Sequence, residues 1–135
     1  MDRKFLKAVM AGWLTMFVTG YLIFDVAMAS FYETYGTIAF GVGRDAIIWP
    51  ANALGVATLA LLIGLCLRWS GTLGAVQGFK VAGLVGFLVW FGTGVIYYGH
   101  SEIFADIFPI VDASLELVRS GCGGAVMAMM LEKTD

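Results

Sequence analysis

The chain has 135 residues, 60% of them hydrophobic and 13% charged, with a formal net charge of −2 at pH 7 and a mean hydropathy of +0.88. Soluble domains carry about 25% charged residues, so the composition excludes an ordinary water-soluble fold and points to an integral membrane protein. There is no basic patch for nucleic acid, and Cys66, Cys122 and the single His100 give no ligand set for zinc or a bis-histidine haem, so no cofactor is expected.

Four apolar stretches, roughly 5–29, 46–68, 76–98 and 108–131, each approach the ~20 residues that cross a bilayer. The first follows Arg3, Lys4 and Lys7 and ends at "AMAS" (27–30), which imitates a secretory cleavage site. Its apolar run is longer than a signal core, so it reads as a retained first helix. Tyr21 and Asp25 fall one turn apart on one face near its far end. The following stretch, "FYETYGTIAFGVGR" (31–44), is too apolar for a free loop and too short to span. It is expected to lie along the membrane surface or over the bundle mouth. Its "FGVG" matches "FGTG" at 91–94, too briefly to establish a duplication.

In the second stretch Asp45 is the expected helix cap, and Pro50 sits in the first turn, where a missing N–H costs least. Asn52 is its one polar candidate. In the third, Gly74, Gly78, Ala82 and Gly86 recur every four residues. They predict a smooth groove for close helix packing, the main source of association where lipid removes the hydrophobic drive. Phe87, Trp90, Phe91 and Tyr98 form an aromatic stripe expected to pack in the core.

Pro109 opens the fourth stretch, which holds Asp112, Glu116 and Arg119. At ~100° per residue, Glu116 lies ~40° from Asp112 and Arg119 ~20° to the other side, so all three share a narrow stripe. A charge at the centre of a span costs ~2.5–3.5 kcal/mol on insertion scales, so the stripe is expected to turn away from lipid. Glu116 and Arg119 at i, i+3 form either a structural ion pair or, with Asp112, Asp25, Tyr21 and Asn52, the lining of a polar site. The opposite face carries Ser114, Gly121, Ala125 and Ala128 and is expected to point away from the bundle, towards another chain. Met127, Met129 and Met130 are apolar span residues rather than soft-metal ligands.

The expected fold is all-α: one domain over residues 1–135, a polytopic bundle of four antiparallel membrane helices. Arg3, Lys4, Lys7, Arg68, Lys80 and Lys133 fall on one side of that bundle, and Arg44 alone on the other. The positive-inside rule then makes both termini cytoplasmic. Trp49, Tyr97 and Tyr98 mark the outer interface, and Trp69 the inner one. No nucleophile–base–orienter set suggests an enzyme.

"FYETYG", "GAVQGFKVAGLVGFL", "YYG" and the "VD…SGCGGA" pattern resemble a broad group of small bacterial four-helix membrane proteins of unknown function. The resemblance implies a multi-pass protein of the bacterial inner membrane and transfers no activity. The functional expectation is association in the lipid bilayer, as a homo-oligomer or an accessory subunit of a larger membrane complex. The alternative is a transporter or channel for a small polar solute, ion or proton, using the charged stripe.

Overall fold

A computed structural model describes residues 2–36, 44 and 46–132. Helix α1 (Arg3–Gly20) begins where the Asp2 carboxylate accepts a 2.7 Å hydrogen bond from the Phe5 N–H. It runs on without a break into a π-helix, Tyr21–Ala27, ending where Met28 N–H donates to Ile23 O at 2.9 Å. One extra residue per turn marks this segment as irregular, a feature frequent at functional sites. Helix α2 (Ala29–Tyr35) is short. Helix α3 (Trp49–Trp69) has Pro50 in its first turn. Asp45, the expected cap, and residues 37–43 of the 31–44 stretch lie outside the described residues.

The turn after α3 is specified locally. Gly71 adopts φ 64°, and Thr72 N–H reaches back to Leu67 O at 2.9 Å, a Schellman-type helix end that a side chain would strain. Gly74, at φ 81°, starts helix α4 (Ala75–His100), and helix α5 (Phe108–Glu132) completes the chain. Among the described residues every regular element is helical.

The helices pack antiparallel, with α5 between α1 and α4. A Cβ at Gly123 would lie 3.1 Å from Gly12 O on α1, and one at Gly78 would lie 2.6 Å from Gly124 O on α5. Helix α3 lies against α1, with Trp13 Nε1 donating to Ala53 O at 3.0 Å. At one end of this pair Arg68 reaches Asp2 at 3.6 Å and stands 5.3 Å above the Phe5 ring; at the other, Trp49 meets Phe17 at 6.1 Å.

Three helices, Arg3–Ala27, Trp49–Trp69 and Ala75–His100, are long and apolar enough to cross a membrane. Helix α5, with its charges, is not among them. The outer faces agree with a lipid setting: Leu54 is 69% exposed, and Leu84, Leu88 and Ile96 are also exposed. Hydroxyls on the helices are satisfied within them, as lipid requires; Thr15, Thr58 and Thr93 donate to the carbonyl four residues back at 2.8–2.9 Å.

The apolar core is gathered at the end of the bundle where α1 starts and α5 ends. Met16, Val56, Leu59, Ala60, Ile63, Leu67, Ala82, Met127 and Ala128 are its buried members. Towards the other end the packing opens.

Candidate functional site

Helix α5 can carry charge because α1 and α4 cover it. Glu116 is fully buried and Arg119 is 8% exposed. Arg119 Nη2 stands 2.8 Å from Glu116 Oε2, outside hydrogen-bond alignment, while Nε donates to Oε1 at 3.2 Å. Ser120, one turn beyond Glu116, donates to the same Oε1 at 2.6 Å. A buried charge pair is tolerable when its remaining polar atoms are bonded. Here the chain satisfies one carboxylate oxygen twice and holds the other by charge.

Helix α1 makes room for this group. A Cβ at Gly20 would lie 3.0 Å from Arg119 Cδ and 3.1 Å from Nη1. The guanidinium carbon then sits 5.3 Å from the Phe24 ring centroid and 5.6 Å from that of Trp90, within the distance at which a ring face attracts a cation.

Asp112, two turns before Arg119 on α5, accepts a hydrogen bond from the Tyr32 hydroxyl. Tyr32 belongs to α2, which lies across the open end of the bundle. Its ring meets Phe24 at 5.8 Å and Phe108 at 5.4 Å, and Ala105 N–H ties the α4–α5 connection to Tyr35 O at 3.3 Å. Burial first, then the bond to Asp112, pushes the Tyr32 phenol far above its ordinary range, so it acts as a fixed donor.

Between these elements lies a cavity of about 430 Å³, lined by Phe24, Asp25, Ala29, Tyr32, Glu33, Trp90, Asp112 and Arg119. A second, of about 230 Å³, adjoins it and contains Tyr21, Asp25, Asn52 and Arg119 in its wall. A third, of about 210 Å³, continues from Trp90 and Asp112 towards Tyr97 and Phe104. Phe24, Asp25 and Arg119 form the partition between the first two.

Of the polar candidates read from sequence, Asp112, Arg119, Asp25, Tyr21 and Asn52 line this row of cavities, and Glu116 is buried behind Arg119. Periodicity along single helices did not reveal Phe24, Tyr32, Glu33, Trp90 or Ser120. Ser120 at i+4 from Glu116 was a usable signal; Tyr32 and Glu33 were hidden in a stretch without a helical assignment. The aromatic stripe divides: Phe87 stacks on Phe91 at 5.5 Å, Trp90 turns to the cavity, and Tyr98 is exposed and donates to Asp106 at 3.0 Å. His100 is exposed, its Nδ1 donating to Ile96 O at 2.9 Å.

The packing candidates fall differently from expectation. Gly78, Ala82 and Gly86 face α5, where Gly124, Ala128 and Ser120 meet them; Gly74 stands outside this contact, in the turn. Gly121 and Ala128 do not point away from the bundle. Both are buried, and a Cβ at Gly121 would lie 2.6 Å from Phe79 Cε2. Ser114 is exposed, donating to Ile110 O at 2.7 Å, and Ala125 is half-buried. Helix α5 has three surroundings, α1, α4 and the outer face, so a two-sided reading of its wheel merged the last two.

Comparison with protein-family models, curated proteins and solved structures gave no match to this chain, and the cavity geometry alone carries the functional reading.

Proposed function

We propose that the chain is a four-span protein of the bacterial inner membrane that binds a small polar solute in the cavity between α1, α2, α4 and α5, as a transporter or channel. The carrying observation is the continuity of the cavities: Asp25 and Arg119 line two of them, and Asp112 the next pair. An ion pair that served register alone would need no accessible space at its edge; here one face of the guanidinium borders 430 Å³. The volume falls within the ~300–1,000 Å³ usual for small-ligand sites.

Helix α5 is the fourth span in this reading. It packs antiparallel between two helices that are themselves apolar enough to cross, and its charges face those neighbours or the cavity rather than lipid. An even number of spans puts both termini on one side, and the basic residues make that side cytoplasmic. The cavity then opens towards the outer surface. Of the four small residues that motivated association as an oligomer or accessory subunit, Gly121 and Ala128 pack within the chain, while Ser114 is exposed and Ala125 half-buried.

The test is access and flux. With Cys66 and Cys122 replaced by serine, Ala29→Cys is expected to react with a membrane-impermeant thiol reagent from the outer side only. Proteoliposomes are expected to pass small polar solutes faster than empty ones, and Ala29→Trp to abolish the difference. Labelling from the inner side alone, or flux unchanged by Ala29→Trp, would sink the reading.

A further inference from the structure

The charge on the cavity wall is unbalanced. Three carboxylates and one guanidinium line the 430 Å³ cavity: Asp25, Glu33, Asp112 and Arg119. The positive one is already matched, because the fully buried Glu116 lies 2.8 Å from it. A ligand therefore meets the carboxylates of Asp25 and Glu33, which are exposed, and of the half-buried Asp112.

The rest of the wall is aromatic. Phe24, Tyr32 and Trp90 line the same space, and two of them already offer their faces to a cation, the Arg119 guanidinium, at 5.3 and 5.6 Å. Hard metal ions need six to eight convergent oxygens; among the described residues no group of three acidic, histidine or cysteine side chains is placed to hold one. A bare proton would leave most of the volume unused. An anion would face three carboxylates with a guanidinium already paired.

We propose that this cavity binds a small organic cation, a protonated amine or alkylammonium, with its charge held by the Asp25 and Asp112 carboxylates and its carbon skeleton against Phe24, Tyr32 and Trp90. The proposal rests on the reading of the cavity as a solute site and adds the ligand's class. The pairing of carboxylates with ring faces is the chemistry that recognises ammonium groups, and the Tyr32 hydroxyl together with the Trp90 side chain holds the Asp112 carboxylate in place on the cavity wall.

The experiment uses the full chain in lipid nanodiscs and radiolabelled n-butylammonium, with tetramethylammonium, n-butanol and butyrate as competitors. Saturable binding is expected, displaced by tetramethylammonium and not by butanol or butyrate. It should weaken at least tenfold in Asp25→Asn and in Asp112→Asn, vanish in Ala29→Trp, and persist in Lys80→Gln, at the opposite end of α4. Asp25→Asn keeps the shape of an exposed side chain and so guards against loss of folding. If labelled butyrate or butanol binds instead, and Ala29→Trp removes it, the cation assignment falls while the solute site stands. If no probe binds saturably, or butylammonium binding survives all three cavity variants, both fall.

Discussion

Gly20 on α1 stands against the Arg119 side chain on α5, with room for hydrogen but not for a larger group: a Cβ there would come within 3.0 Å of Cδ. Arg119 is a flexible neighbour, so Gly20→Ala is expected to be absorbed by a small shift of the guanidinium. Gly20→Leu cannot be absorbed without moving the ion pair, and overpacking of this kind costs ~1–3 kcal/mol. Thermal unfolding in detergent should order the variants wild type, alanine, leucine, with a clear gap before leucine. Equal stability of Gly20→Leu and Gly20→Ala would show that the contact does not constrain the site.

The Glu116–Arg119 pair makes a second prediction. Removing one partner strands the other where Glu116 is fully buried, a loss of ~3–5 kcal/mol when a buried charge is left unpaired. Glu116→Gln and Arg119→Met alone should therefore destabilise more than the two together. A double variant no more stable than either single one in the same unfolding assay would refute direct coupling.

The long helices were legible from their apolar runs; the stretches 76–98 and 108–131 correspond to the helices Ala75–His100 and Phe108–Glu132, of which only the first is apolar enough to count as a membrane span. The Glu116–Arg119 pair was equally legible, being local to one helix turn. What periodicity missed was set by contacts between helices. The π-helix at Tyr21–Ala27 breaks the α spacing assumed for Asp25, and the Tyr32–Asp112 bond joins residues eighty positions apart. Nor can a helical wheel say how many neighbours surround a helix, which is why the small residues of α5 were assigned to another chain.

A pH effect is expected at the start of α1. Asp2 accepts the Phe5 N–H and lies near Arg68, and the backbone bond foremost holds its carboxyl below the ordinary range. A folded value below the unfolded one means the cap stabilises the helix above the unfolded value, ~3.9, and that this is lost as pH falls through the folded value. The first-turn amides of α1 should therefore fray on acidification by NMR. Asp2→Asn, a good cap that does not titrate, should remove most of that pH dependence. An unchanged profile in Asp2→Asn would assign the effect elsewhere.

The contact between α4 and α5 yields the sharpest separation of the two possible roles for the small residues. A Cβ at Gly124 would lie 2.7 Å from Gly78 O and closer still to the Ala82 Cβ. Backbone cannot swing aside as a long side chain can, so Gly124→Leu must force the helices apart, losing dispersion contacts along their length as well as local fit. A destabilisation of ~1–3 kcal/mol or more is expected. Ser114 is exposed and its hydroxyl is bonded within its own helix; Ser114→Leu adds an apolar group on the outer face and should stay within about 0.5 kcal/mol of wild type. Gly121→Leu is intermediate, because the neighbour it meets is the Phe79 ring, which can rotate. Unfolding should rank the variants in that order, with any oligomer content in gentle detergent unaffected by Ser114→Leu. If Gly124→Leu left the monomer stable, or if Ser114→Leu and Gly121→Leu instead dissolved an oligomer while the monomer kept its unfolding temperature, this face of α5 would belong to an interface with a second chain.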